Sequence, residues 1–289
     1  TDLLSARTTA GDITLQRTGN NATTVALSNT NAGGVVSYGA DSNAFTVGTV
    51  SADPAIVVGG TVDAGGNVAA TTGVTSSGSV LLVGTTTLNI NAPISAVGQT
   101  VRLVATDATL GTVVQTTGID GSITADRLGV IAAQSVALSA SGSSNSVDFF
   151  AASSSGGGSP SLTYRDVGAF QVDQVTSLGA FDLTTGVTVD GDALLVSGGL
   201  MTLNQDINVG ANTVRLSSAA GITQAGGAIT ADLLGVRAGG AAILTSGTND
   251  VNSVAGNNSS TGAAFSYTDA DDVAVSLVGG VGGGLFNAV

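Results

Sequence analysis

The chain of 289 residues contains no histidine, cysteine or tryptophan, and neither lysine nor glutamate occurs in it. Without histidine and cysteine it has no Ser-His-Asp or Cys-His catalytic site, and it lacks the usual ligands of zinc and haem. Without lysine it has no P-loop. Lysine and glutamate normally fill exposed helix faces, so their absence argues against a helical fold. We therefore predict a non-helical protein that is not an enzyme.

Positive charge and long apolar runs are also scarce. The 7 basic residues are all arginine and the 20 acidic residues all aspartate, which gives a formal net charge of −13. Because nucleic-acid binding needs clustered arginine and lysine, we predict no nucleic-acid partner. No apolar run reaches the roughly 18 residues of a spanning helix, so we predict no membrane span. No secretory leader is visible, and we expect a mature or excised piece of a longer array.

The residues that are present favour short strands joined by turns. The chain has 43 glycines, and most of the rest is alanine, valine, threonine, serine, leucine and asparagine. Valine and threonine favour strands, whereas glycine, asparagine and aspartate favour tight turns. The hydrophobic fraction is 43% but aromatic residues make up only 3%. This composition predicts an all-β fold with a narrow aliphatic core.

Long internal repeats are visible. The segment 123–130 (ITADRLGV) returns 106 residues later as 229–236 (ITADLLGV), and a third copy is traceable from Asp2. Matching sequences flank both segments. We therefore predict one continuous solenoid of about two and a half long repeats, followed by a glycine-rich tail or linker. The predicted bounds are 1–278 for the solenoid, divided into 1–80, 81–193 and 194–278, and 279–289 for the tail.

A shorter period lies inside each long repeat. Leu81 and Leu103 are 22 residues apart, and Ile123 follows Leu103 by 20. Windings of about 20 residues are typical of a parallel β-helix, whose coils stack about 4.8 Å apart. At that length the chain would make roughly 14 coils. The alternative is a row of tandem β-sandwiches, each as long as the long repeat.

Two groups of aspartates are the candidate metal ligands. Asp190 and Asp192 form one group, and Asp269, Asp271 and Asp272 form the other. Carboxylates two residues apart on a strand point to the same face and could hold Ca²⁺ through oxygen ligands. The alternatives are solvated turn residues or the carboxylates of a polysaccharide-cleaving enzyme. We predict no other cofactor.

Seven further residues recur at equivalent positions of the repeats and are predicted to have structural roles. Each tyrosine is followed by an aspartate two or three residues later, so its ring either packs beneath a loop or contacts carbohydrate. We expect Asp126 and Asp232 to cap turns. We expect Arg102 and Arg215 to pair with these two aspartates across coils. The seven residues are Tyr38, Tyr164, Tyr267, Asp126, Asp232, Arg102 and Arg215.

The coil rhythm, the repeated ITAD-x-LGV motif and the segments 193–197 (ALLVS) and 202–204 (TLN) resemble the filamentous haemagglutinin-like exoproteins of Gram-negative bacteria. The resemblance implies a right-handed parallel β-helix exported by two-partner secretion to the outer cell surface or the medium. It implies an adhesive or structural shaft whose partners are a host surface, a glycan or matrix, or neighbouring copies stacked end to end. A self-assembling filament subunit and a glycan-binding or glycan-active β-helix are the alternative functions.

Overall fold

The structure, a computed structural model, describes residues 3–17, 19–41, 44–51, 70–281 and 285–289. Within these ranges there are 30 strands and no helix. The first fifteen strands are β1 (Leu3–Thr8), β2 (Ile13–Leu15), β3 (Thr24–Asn29), β4 (Val36–Gly39), β5 (Phe45–Val47), β6 (Thr49–Val50), β7 (Thr71–Thr72), β8 (Val74–Ser76), β9 (Val80–Gly84), β10 (Leu88–Ile90), β11 (Ile94–Ala105), β12 (Val113–Gln115), β13 (Ile123–Ala132), β14 (Val136–Leu138) and β15 (Ser146–Ser154). The other fifteen are β16 (Leu162–Asp166), β17 (Phe170–Val172), β18 (Gln174–Val175), β19 (Thr184–Thr185), β20 (Val187–Val189), β21 (Ala193–Ser197), β22 (Met201–Leu203), β23 (Ile207–Asn208), β24 (Thr213–Ser218), β25 (Ile222–Gln224), β26 (Ile229–Ala238), β27 (Ala242–Leu244), β28 (Asp250–Asn258), β29 (Phe265–Tyr267) and β30 (Ala274–Val275).

The strands stack into a parallel β-helix, as the sequence predicts. A single sheet contains 26 of them, all paired in parallel. Away from the two ends of the rod, each pairs with strands one coil below and one coil above. One unbroken stack contains the eleven strands β2, β4, β9, β11, β13, β15, β17, β22, β25, β27 and β29. A chain of antiparallel sandwiches would show none of this pairing, so the alternative fold is wrong.

The number of coils is smaller than predicted. The stacks contain eleven or twelve strands, so the rod has eleven to twelve coils instead of the roughly 14 expected from length alone. At about 4.8 Å per coil it is roughly 50 Å long. The reason is that two hairpins leave the coil. Strands β6 and β7 pair antiparallel with each other, as do β18 and β19. Asp2 and residues 52–69, which fall within the predicted first repeat, lie outside the described residues.

The core is narrow and aliphatic, with a few rings stacked along its axis. Phe150 and Tyr164 are parallel with ring centroids 4.0 Å apart, and Phe170 meets Tyr164 edge-on at 5.2 Å. Tyr38 and Phe45 make a similar edge contact at 4.9 Å. Such pairs add about 1 kcal/mol each beyond area burial.

Buried or half-buried asparagines mark one corner of each long repeat. The Asn145 side chain accepts hydrogen bonds from Ile123 N at 3.0 Å and Gln115 Nε2 at 2.7 Å. It donates to the carbonyl oxygens of Leu138 and Arg165 at 3.0 and 2.9 Å. Asn249 makes the equivalent four bonds, and Asn20 makes the two donor bonds. These amides satisfy backbone groups at the turn, where no ladder partner is available.

The hairpins leave the coil at equivalent points of successive repeats. Strand β3 carries β5 on its first half and β8 on its second, and the β6–β7 hairpin lies between β5 and β8 in the chain. Strand β15 carries β17 and β20 in the same way, with β18–β19 between them. Each long repeat therefore places one outward hairpin on the surface of the rod.

Candidate functional site

One carboxylate of the first predicted acidic group is already bound by the protein itself. The Asp192 carboxylate binds Arg215 Nη1 at 2.8 Å and accepts Thr213 N at 3.0 Å. Among the described residues no group of three or more acidic side chains could hold a metal ion. Arg215 therefore pairs with Asp192 rather than with Asp232, and the predicted Arg215–Asp232 pair is wrong.

In the second acidic group, Asp269 accepts hydrogen bonds from its own turn and from the neighbouring strand β28. The Asp269 carboxylate accepts a short hydrogen bond from the Tyr267 hydroxyl and longer ones from Val251 N at 3.2 Å and Asp271 N at 3.3 Å. Desolvation, together with repulsion from Asp250 and Asp269, raises the pKa of Asp271. Asp272 is exposed. These contacts are those of turn residues.

Tyr38 and Tyr164 are core residues, and Tyr267 is partly buried against the core. Tyr164 is fully buried and donates its hydroxyl to Asp166 Oδ2 at 2.7 Å. The same carboxylate accepts Val147 N at 2.9 Å and Gly168 N at 2.8 Å. Burial raises the pKa of both Tyr164 and Asp166. A ring in this position packs beneath the turn and cannot contact carbohydrate.

Tyr38 and Tyr267 differ in their surroundings. Tyr267 repeats the tyrosine–aspartate pair with Asp269, and burial raises its pKa. Tyr38 is fully buried, but Asp41 accepts Gly19 N at 3.0 Å instead of binding the tyrosine. The first repeat therefore keeps the buried ring without its acidic partner.

Arg102 holds down an outward hairpin. Its side chain is buried (5% exposed), with Nε donating to Thr176 O at 2.8 Å and Nη2 to Thr176 Oγ1 at 3.0 Å. Asp126 lies 3.5 Å from Arg127 instead. The predicted pairing of Arg102 with Asp126 is thus wrong, and burial without a carboxylate lowers the pKa of Arg102.

The hairpin that Arg102 holds is residues 174–185, here called flap A. Its Phe181 is fully buried and packs with Leu81, Val104 and Ala151 on the outside of the coil. Gly129 lies directly beneath: a Cβ there would be 2.3 Å from Phe181 Cζ. Any larger residue at 129 would displace the ring, which explains a glycine in the middle of a buried strand.

A second flap repeats this arrangement at the end of the chain. Flap B comprises residues 278–281 and 285–289, and its Phe286 is 1% exposed. A Cβ on Gly235 would be 2.9 Å from both Phe286 Cζ and Val278 Cγ1. Arg215 Nε donates to Gly279 O at 2.9 Å, as Arg102 does to flap A. The predicted glycine-rich tail thus contains a segment packed on the coil, while residues 282–284 lie outside the described residues.

Beside each flap runs a line of outward side chains, one from each coil. The line beside flap A is called the covered column. Its middle is apolar and packs against flap A. The line beside flap B, the open column, is polar. The covered column is Gly39, Val83, Val104, Ile131 and Ser153. The open column, in the same order of equivalent positions, is Arg165, Val196, Ser217, Arg237 and Asn257.

The open column forms the floor of a groove of about 620 Å³. Leu285 of flap B borders one side, and turn residues such as Gly198 and Gly239 border the other. Ion pairs among the described residues involve only Arg127 and Arg215. Arg165 and Arg237 therefore face this groove without a carboxylate partner in the described part of the chain.

Sequence reasoning missed both the flaps and the groove. It recorded Gly129 and Gly235 only as members of a repeated motif. The available signal was a glycine at the same position inside two equivalent strands, which marks a close approach by another part of the chain. Nothing in the periodicity indicates which segment makes that approach.

Across the described ranges, no helix has the length and apolar character needed to cross a bilayer. No model of a known protein family matches the chain, and neither a curated protein nor a solved structure shows significant similarity to it.

Proposed function

We propose that the protein is an extracellular structural and adhesive shaft, displayed on or secreted from a Gram-negative bacterium. The observation that supports a shaft is the unbroken parallel stack, in which every coil contacts chiefly its neighbours. Such quasi-one-dimensional folds lengthen by adding coils and present an extended surface. The location and the source are taken from the sequence resemblance.

Adhesion in this proposal depends on outward columns, since the interior is filled by side chains. The core cluster runs from the first coil to the last, with aliphatic side chains packed throughout. Each outward position recurs once per coil, so a column of side chains can contact an extended partner along the rod. A host surface, a glycan or a matrix polymer is the partner class that this geometry suits.

The proposal is tested by locating the protein on cells that produce it. Immunogold labelling of intact cells, with protease shaving as a second readout, should find it outside the outer membrane as rods or fibres. Beads coated with the purified chain should attach to host cells or matrix more than beads coated with an unrelated β-helix. Retention of the protein inside intact cells would reject the proposal.

A self-assembling filament subunit is the second candidate, supported by the coil that contains β29 and β30. Val275 is 88% exposed and Leu277 75%, and Phe265 lies nearby with 39% exposure. Apolar side chains at a strand edge favour pairing with another coil. Sedimentation of the purified chain over a concentration series, with Val275→Asp as the comparison, tests it: assembly that the aspartate abolishes supports a filament, and a constant monomer rejects it.

A further inference from the structure

We infer that the groove over the open column binds an anionic oligosaccharide, whose carboxylate or sulfate groups are held by Arg165 and Arg237. The inference rests on the proposed function, because it names a ligand class for the adhesive surface. It also goes beyond that function by assigning particular side chains.

The groove contains two arginines and is locally positive. In a chain with 7 arginines and a net charge of −13, two guanidinium groups in one groove form a local positive strip. Neither is paired with a carboxylate of the described residues. The nearby Asp166 is buried, and its oxygens accept three hydrogen bonds from inside the protein. An anion of the ligand would therefore complete charge-assisted bonds that the protein leaves unmade.

The spacing of the open column fits a linear glycan. Arg165 and Arg237 are three coils apart in register, which corresponds to about 14 Å along the rod. A pyranose ring is about as long as one strand spacing, so each sugar unit would meet one coil. Val196 offers an apolar surface to ring carbons, and Ser217 and Asn257 offer hydrogen bonds to hydroxyls.

A peptide and a nucleic acid fit this groove less well. The strands beneath it already pair with strands on both sides, so a peptide cannot add as a further strand. The overall negative charge repels a densely charged polymer such as nucleic acid. A hydroxyl-rich glycan with no more than one charge per sugar satisfies both conditions, because it carries fewer charges per unit length than duplex DNA, which has roughly one per 1.7 Å.

The test measures binding of the full-length chain to oligogalacturonate by calorimetry, with its methyl ester as the neutral partner. We expect the acid to bind and the ester not to bind, with affinity falling as salt is raised. Arg165→Gln with Arg237→Gln should weaken binding by roughly tenfold for each charge removed. The matched control is Arg7→Gln with Arg17→Gln, since both are exposed, are not ion-paired to any described carboxylate, and lie outside the groove. The control should bind like the parent.

A sulfated oligosaccharide and poly-aspartate are the two further ligands to be tested. A sulfated oligosaccharide of similar length shows whether carboxylate or sulfate is preferred, and binding of either one that depends on the two arginines supports the inference. Tighter binding of poly-aspartate, equal binding of acid and ester, or full affinity in the double variant would overturn it. Circular dichroism of each variant confirms the fold. Cell-surface labelling tests the shaft independently, so failure of the groove and failure of the proposed function are distinguishable.

Discussion

Two equivalent surfaces of one rod have opposite characters. In the covered column Val104 and Ile131 lie beneath or beside flap A, whereas at the equivalent positions Ser217 and Arg237 line an open groove. Strands β24 and β26, which contribute to the open column, have inward side chains like those of β11 and β13 and pair in the same register. The coil therefore fixes the position of each outward side chain. Whether that side chain is apolar or polar determines whether the neighbouring flap covers it.

Both flaps use the same three contacts. A phenylalanine sits over a glycine, a valine packs beside it, and an arginine one coil below binds the backbone of the flap. Flap A gains a further apolar cluster with Leu81, Val104 and Ala151. The flap is therefore a repeated element whose coverage is adjusted by a few outward residues.

The largest expected effect comes from removing the ring of flap A. Phe181→Ala deletes a fully buried side chain and should reduce the free energy of unfolding by about 3 kcal/mol. Phe286→Ala should cost less, because Phe286 lies beside the polar column. Urea unfolding with hydrogen exchange of the flap amides measures both. Equal losses in the two variants would contradict the distinction between the flaps.

Exchanging one residue between the columns tests the distinction directly. Ile131→Arg places a charge beside flap A, where we expect a loss of about 1–3 kcal/mol because its polar group lacks a partner. Amide exchange in residues 174–185 should accelerate while the core strands stay protected. Unchanged exchange in flap A would show that the apolar column does not hold it.

Replacing Arg102 should destabilise its flap more than replacing Arg215 destabilises the other flap. Arg102→Met breaks two hydrogen bonds to Thr176, and we expect flap A to be destabilised by about 1 kcal/mol. Arg215→Met also frees Asp192, which is half exposed, so hydration limits the cost there. Thermal unfolding of both variants checks the order, and a larger loss for Arg215→Met would reverse it.

The pH dependence beneath the groove has a defined sign. Burial raises the pKa of Asp166 above its ordinary 3.8, so the folded state holds this proton more tightly than the unfolded state. The contribution of Asp166 to stability therefore falls as pH rises from 3.8 through the raised pKa. Asp166→Asn should remove this decline, which the difference in urea midpoint between variant and parent, measured between about pH 3 and pH 7, will show. A difference that is constant with pH would contradict it.

The smallest effect is expected from the reverse exchange. Arg237→Ile in the open column should change the free energy of unfolding by no more than about 0.5 kcal/mol, because the arginine has no carboxylate partner in the described residues. Urea unfolding measures it. A loss as large as that of Ile131→Arg would mean that both columns are structural.

Much of the fold was predictable because coil stacking is local and periodic. The spacing of Leu81, Leu103 and Ile123 predicted the coil, and two of the three recurring tyrosines, Tyr38 and Tyr164, are fully buried. The predicted number of coils was too high because hairpins such as 174–185 use residues without adding a coil. The partner of Asp192 was not predictable, because closeness in sequence does not reveal Arg215, which lies one coil above it.

The all-β class, the coils of about 20 residues and the aliphatic core could all be inferred from the chain alone, since each follows from composition and period. Which outward columns are covered depends on how the flaps fold back onto the rod. A flap returns over coils already formed, and the Arg102–Thr176 contact joins positions 74 residues apart. No short-range pattern encodes that distance, so the open groove is visible only once the rod is assembled.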